Sequence, residues 1–276
     1  MTVSKLIPLA CAFAALATPT LAQLVEVPRD MYDERLSRRG TTVSFCMHGN
    51  ALLADFNRDV AEALAGALLV EPNIVPINPL TPPEALDYSI PFTVEELFLM
   101  MSNRCDVFMG FTLTTDYPQW LLVTRPYFAS RSVLVVGDED YRQLSDIPVD
   151  RPLGTRIFST EDNQLGALIA GLPAEQQWKR FPYRSYGIAL ERVMDGTVGA
   201  SIVWEAAVYN VSDGDPASAG INIRDLPFAT TPIEIGIGIS SDDRFLEQML
   251  SEAIVALEAD GTLHRLAVEH HLAGPR

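Results

Sequence analysis

The chain has 276 residues, 48% of them apolar, and a formal net charge of −16 at pH 7. That length and composition suffice for one large or two medium domains with a real core. Basic residues form no stripe along the sequence, which speaks against nucleic acid, because phosphate-dominated binding depends on one. The acidity serves solubility, or meets a basic protein partner or a cationic ligand.

The first 22 residues read as a secretory signal. Lys5 supplies the positive end, residues 6–16 an apolar run, and Thr20-Leu21-Ala22 a small-residue cleavage site before Gln23. The run is too short to span a bilayer, and no later stretch reaches the roughly 20 apolar residues of a transmembrane helix. Cys11 raises the alternative of a lipid anchor, although Pro8 stands where such a signal wants an aliphatic residue. Cleavage after Ala22 removes one base and no acid, leaving a periplasmic chain of net charge −17 with no membrane span. Residues 23–40 are polar and charged with weak helical spacing, and read as an arm.

From residue 41 strands and helices alternate, which predicts parallel sheets covered on both faces. The spacing predicts strands over 43–47, 73–77 and 106–111, and helices over 55–69 and 93–102, with Thr93 as cap. A proline-rich loop, 79–91, lies between. A strand over 132–136 then leads to a second alternation: strand 154–158, helix 161–171 capped by Ser159 or Thr160, a strand ending at 183, helix 187–194, strand 200–204 and helix 205–211. A Gly/Asp/Ser/Pro loop, 212–220, precedes a strand near 221–224. The tail offers strand 233–239 and helices 244–259 and 262–271. It has no sheet of its own and should return to the first.

The expected architecture is α/β and two-lobed: lobe one from 41–134 and 231–276, lobe two from 138–228, with crossings near 133–137 and 228–231. Each lobe would be a mainly parallel sheet presenting its carboxyl edge to a shared cleft. Strand-end positions then nominate His48, Asn50, Thr112, Thr114, Tyr117, Thr160, Trp204 and Glu205 as ligand contacts. Aromatic faces with few polar groups suit a small neutral or cationic molecule. Three of these have a plainer role: Trp204 as packing between lobes, Glu205 as a helix-start carboxylate, His48 as a loop hydrogen-bonder. Tyr127 and Phe128 read as core beneath the hinge. His264, His270 and His271 read as solvated, so no metal or other cofactor is expected.

Cys46 and Cys105 survive cleavage and could pair in an oxidising compartment. If their strands are parallel neighbours, an offset of about four residues separates them by roughly 13 Å, beyond disulfide reach. An excursion of the chain at Cys105 would close the gap. Both outcomes stand on sequence alone.

The run from Cys105 to Thr114 and the run Thr124-Arg125-Pro126-Tyr127-Phe128 resemble the periplasmic solute-binding proteins that include polar amino-acid receptors. The stretches 55–61, 94–97, 236–239 and 258–263 match in order, covering nearly the whole mature chain. The resemblance implies a type II two-lobed binding-protein fold. Cys46, Cys105 and Ile202-Val203-Trp204 are further similar to the subfamily associated with quinoprotein alcohol dehydrogenases. That likeness implies an accessory role on a PQQ-dependent methanol or ethanol oxidation system. The alternative is a receptor for an ABC importer, docking on its permease. Two departures fall at the presumed cleft: Met47-His48-Gly49-Asn50 and Glu205-Ala206 replace the subfamily's usual loops.

Amino-acid receptors of this fold hold the ligand carboxylate with a lobe-one arginine and the ammonium with a lobe-two aspartate. The matching positions here are Tyr117, preceded by Asp116, and Trp204, followed by Glu205. Without the guanidinium clamp the strongest contact to a carboxylate is missing. Glu161 and Asp162 occupy the lobe-two helix start, where they are expected to repel an anion. Ordinary α-amino acids and anions are therefore not expected to bind. Catalytic motifs such as Gly-x-Ser-x-Gly or His-Glu-x-x-His are absent. A dehydratase-like role with Glu205 as acid/base is the minor alternative.

Overall fold

Phe45 and Met47 alternate with Cys46 along the first strand, and all three side chains are buried. A strand apolar on both faces must lie inside a sheet covered on both sides. The computed structural model describes residues 41–49, 52–77, 94–157 and 159–274, all within one compact unit that begins at Thr41.

Its elements in order are β1 (Thr42–His48), α1 (Ala54–Leu68), β2 (Glu71–Ile77), α2 (Val94–Asn103), β3 (Val107–Thr112), β4 (Leu121–Val123), β5 (Phe128–Ser130) and β6 (Ser132–Val136). There follow β7 (Leu153–Arg156), α3 (Thr160–Ala170), β8 (Arg180–Tyr183), α4 (Tyr186–Met194), β9 (Ala200–Trp204), α5 (Glu205–Val211) and β10 (Asn222–Arg224). The tail is β11 (Ile233–Ser240), α6 (Arg244–Ala259) and α7 (Thr262–Glu269). Of the three three-residue strands, β10 is announced by the turn-rich loop before it, whereas β4 and β5 escape sequence reading because so short a run registers no period.

Two sheets result. The first runs β2-β1-β3-β11-β4, with β5 also on β11; the second runs β10-β6-β9-β7-β8. Both are mixed and not mainly parallel. The βαβ units pair in parallel, whereas β11 is antiparallel to β3, β4 and β5, and β6 is antiparallel to β9 and β10. The antiparallel strands are those next to the passages between sheets, where the chain enters from the opposite direction to the local βαβ winding.

In the first sheet, Phe45, Met47, Val107 and Met109 face α1, α6 and α7, through Phe56, Val60, Leu64, Leu250 and Leu263. Cys46 and Phe108 face α2 through Leu97 and Met101. In the second, Leu134, Val136 and Ile202 meet Leu165 of α3, while Val133, Val135 and Val203 meet α4 and α5. The latter group is continuous with the core of the first sheet. Burying a Leu- or Phe-sized side chain contributes about 1.5–3 kcal/mol, so this continuity ties the two sheets together.

The passages differ from expectation. Ser130 ends β5, paired to β11, and Ser132 begins β6, paired to β9. The first crossing is therefore the single residue Arg131, ahead of the expected 133–137. Residues 133–136 are already interior strand of the second sheet. The second crossing is the stretch 225–232 between β10 and β11.

Cys46 and Cys105 form a disulfide, with Cα atoms 5.5 Å apart. The distance extrapolated along the sheet fails because Cys105 is not a strand residue. Its N–H donates to the Met100 carbonyl (3.0 Å), in the turn that ends α2, and only Asp106 joins β1, donating to Ser44 O (3.0 Å). The chain thus crosses over the sheet face that carries Cys46.

Candidate functional site

Parallel strands leave polar backbone and helix starts at their carboxyl edges. In the first sheet that edge carries His48 and Gly49 after β1, and Thr112 with the following loop after β3. In the second it carries Arg156, Tyr183 and Trp204, with the starts of α3, α4 and α5 just beyond. A short relay brings the edges together. Ile235 pairs with both Thr112 and Phe128, and the Phe128 ring stands edge-on to Trp204 at 5.8 Å.

On the first edge, His48 is half-buried. Burial lowers the imidazole pKa below its ordinary value, opposed by a hydrogen bond to its own backbone. Tyr117 is half-buried and packs on Phe111 at 5.8 Å. Its hydroxyl turns back to accept from the Thr114 N–H. Thr114 is exposed, and its Oγ1 reaches Asp116 O at 3.4 Å. So Tyr117 organises its own loop. Asn50 and residues 79–91 lie outside the described residues, as do 1–40.

Beneath this edge is a buried polar group that sequence reading did not assemble. The Tyr127 hydroxyl donates to Asn57 Oδ1 at 2.6 Å and accepts from the Gly110 N–H at 2.9 Å. Burial pushes the phenol pKa well up, against the Gly110 bond. Gly110 has φ +80°, and a Cβ there would stand 2.9 Å from Asn57 Nδ2; only glycine tolerates both constraints. The signal was available in Gly110 at a strand end and in Asn57 on an otherwise apolar helix face.

On the second edge, Thr160 is exposed at the first position of α3, and Ser159 is the cap, its Oγ accepting from the Asp162 N–H at 3.1 Å. Glu161 and Asp162 do not guard the rim as expected. They are 4% and 5% exposed. Glu161 accepts from Ser132 Oγ; Asp162 accepts from Thr155 Oγ1 at 2.6 Å and pairs with Arg180 at 2.8 Å. Neither side chain reaches solvent at the edge.

Trp204 is 2% exposed and packs edge-on to Phe128 where the two sheets meet. Glu205 lies in a two-pronged ion pair with Arg131, Nε–Oε2 3.0 Å and Nη2–Oε1 3.2 Å, and Arg131 Nη1 also reaches Asp225 at 2.9 Å. The α5 start is closed by the same crossing: Glu205 N donates to Arg131 O (2.9 Å) and Ala206 N to Ser130 Oγ (3.1 Å). A carboxylate so engaged is a hinge element and a poor candidate for acid/base work. Arg131 was not among the expected residues, although a lone arginine between two apolar strands is a visible signal.

The histidines at the carboxyl terminus also differ from expectation. His270 is not simply solvated; its Nε2 meets Asp59 Oδ2 at 2.7 Å, and its ring stands 6.1 Å from Phe56. No cluster of three or more metal-ligating side chains occurs among the described residues. No helix among them is long and apolar enough to cross a membrane.

No family profile matches the chain, and no curated protein sequence matches it. Solved structures do. An ancestral cationic amino acid solute-binding protein superposes with a TM-score of 0.66 at 17% identity, covering 87% of this chain and 99% of that one. The L-cystine solute receptor of Neisseria gonorrhoeae, in its unliganded open conformation, gives 0.64 at 19% identity, covering 87% and 97%. Substrate binding domain 2 of Lactococcus lactis GlnP, also open, gives 0.64 at 14%, covering 86% and 98%. The chain has the two-lobed periplasmic-binding-protein fold.

Proposed function

We propose that this two-lobed protein is an exported solute receptor for an ABC importer, closing its lobes around a small molecule and presenting it to a permease. The observation that carries this reading is the convergence of two carboxyl edges on one hinge, through Thr112, Ile235, Phe128 and Trp204. The lobes are joined by one residue and one short segment, and the rim offers His48, Thr112, Thr114, Tyr117 and Thr160. Ligands in open α/β folds sit beyond such edges. The similar structures named as amino-acid receptors support the same reading, and the signal-like pattern of residues 1–22 is in keeping with export to the periplasm.

The test is a calorimetric and small-angle scattering screen of the purified mature chain against amino acids, amines and small carboxylates. Micromolar binding accompanied by a smaller radius of gyration is expected. Absence of closure with every solute class would overturn it.

The accessory role on a PQQ-dependent alcohol dehydrogenase takes second place. It rests on the paired Cys46 and Cys105 and on the Ile202-Val203-Trp204 strand end, the features of the subfamily resemblance. Deleting the gene separates the two: lost solute uptake with normal alcohol oxidation fits the receptor, and the reverse fits the accessory protein.

A further inference from the structure

We infer that residues 270–274, just past α7, are a strap that ties the two lobes together outside the two crossings and holds the angle between them. The inference rests on the two-lobed fold alone and stands apart from the receptor reading. At its near end the segment belongs to the first lobe. There α7 packs on α1 and α6. The His270 Nε2 meets Asp59 Oδ2 of α1 at 2.7 Å, and its ring stands edge-on to Phe56 of the same helix. The backbone then turns sharply. His271 has φ +53°, a left-handed conformation that residues other than glycine hold only where their surroundings fix it. Its N–H donates to Val268 O at 3.0 Å, and the Leu272 N–H donates to Ala267 O at 2.8 Å.

That turn leads the segment onto the second lobe. A Cβ on Gly214, in the loop after α5, would stand 2.8 Å from His271 Nδ1, and a Cβ on Gly274 would stand 2.8 Å from the Tyr209 hydroxyl oxygen of α5. The Gly214 N–H donates to Tyr209 O at 2.8 Å, so both approaches fall on one closed turn. Between them Leu272 is 2% exposed and shares a core with Val208 of α5 and Leu266 of α7. In sequence α5 lies between β9 and β10, both strands of the second sheet. These contacts therefore join lobe to lobe. A change in lobe angle must slide or part them, and parting them exposes Leu272 to water, which is unfavourable.

The experiment reads the distribution of lobe angles in the intact mature chain without solute, by a dye pair across the lobes, beside the melting temperature. Gly274→Val, which drives a side chain into Tyr209, should broaden the distribution and lower the melting temperature by about 2–4 °C. Adding Tyr209→Ala, which restores the room, should recover part of the narrow distribution. Deleting residues 270–276 should broaden it at least as far as Gly274→Val. Glu269→Gln, whose partner Arg265 lies in the same helix, should leave it as in the wild type. A folded deletion variant with an unchanged distribution would overturn the inference, even if its melting temperature fell. If the deleted chain does not fold, Gly274→Val decides, and a native distribution in that variant overturns the inference by itself. Lobe closure on a solute is measured separately, so either conclusion can fail without the other.

Discussion

Arg131 and Glu205 meet edge to edge, and the arginine is the whole of the first crossing between the sheets. Its third nitrogen holds Asp225, at the start of the second crossing. One side chain therefore links both crossings to the start of α5. The pair is half-exposed on the arginine side, 50% against 22% for Glu205. Its direct contribution to stability is accordingly modest, about 0.2–1 kcal/mol. Its larger effect should be on the angle between lobes, since among the described residues these two crossings carry the chain between the sheets.

Arg131→Gln is expected to lower the melting temperature by about 1–4 °C and to broaden the distribution of lobe angles seen by scattering or by a dye pair across the lobes. A double-mutant cycle with Glu205→Gln should return a coupling of about 0.5–1 kcal/mol. Zero coupling together with an unchanged angle distribution would remove the clamp from the account.

The disulfide joins residues 59 apart in sequence. A loop of that length implies a chain-entropy stabilisation of about 4 kcal/mol. Replacing both Cys46 and Cys105 by serine should lower the melting temperature by on the order of 10 °C and shift the urea midpoint by a matching amount. Identical urea curves for the oxidised and reduced wild type would contradict this.

Tyr127→Phe removes a hydroxyl that serves Asn57 and Gly110 at once. Both partners are left unsatisfied in a buried place, so a loss of about 1–3 kcal/mol is expected in denaturant unfolding. Pairing the change with Asn57→Leu should recover part of the loss, because an apolar neighbour then replaces the orphaned amide.

His48 titrates below its ordinary value because burial disfavours the charged ring. The unfolded chain therefore takes up the proton first as pH falls. The stability associated with the neutral ring is fully present above pH about 6.5 and declines as pH drops from there through the lower folded value. His48→Asn should flatten that slope between pH 7.5 and 5 in unfolding measurements, and an unaltered slope would exclude His48 as its source. The effect is small, since the ring is only partly buried.

Trp204→Ala is expected to be a stability variant above all. The indole is 2% exposed and packed on Phe128, so truncation opens a cavity and costs about 3–5 kcal/mol. Any loss of ligand affinity should follow lobe disorder, visible as a lowered melting temperature without ligand. A variant of native stability that lost only affinity would place the indole in the cleft after all.

Much of the fold can be read in the chain itself. Alternation of Phe45 and Met47 with Cys46, and of Val107 and Met109 with Phe108, marks strands buried on both faces, and helical spacing in 55–69 and 244–259 marks their covers. Such patterns are local consequences of periods 2 and 3.6, so they survive without tertiary information. The strand-end residues follow from the same reasoning, because an edge is defined once the strands are placed.

What only the tertiary structure decided is where those side chains turn. Sequence puts Glu161, Asp162 and Glu205 at helix starts, facing whatever lies beyond. Packing sends the first two into Ser132, Thr155 and Arg180, because a buried carboxylate must find donors and these happen to lie across the sheet. It likewise sends Trp204 into the hinge core and draws Cys105 over the sheet to Cys46. The crossing at Arg131 was missed for a related reason. Strand 128–130 is too short to register beside 132–136, and only hydrogen bonding to different partners, β11 and β9, assigns the two to different sheets. Local periods fix which residues are interior; partners distant in sequence fix which interior they enter.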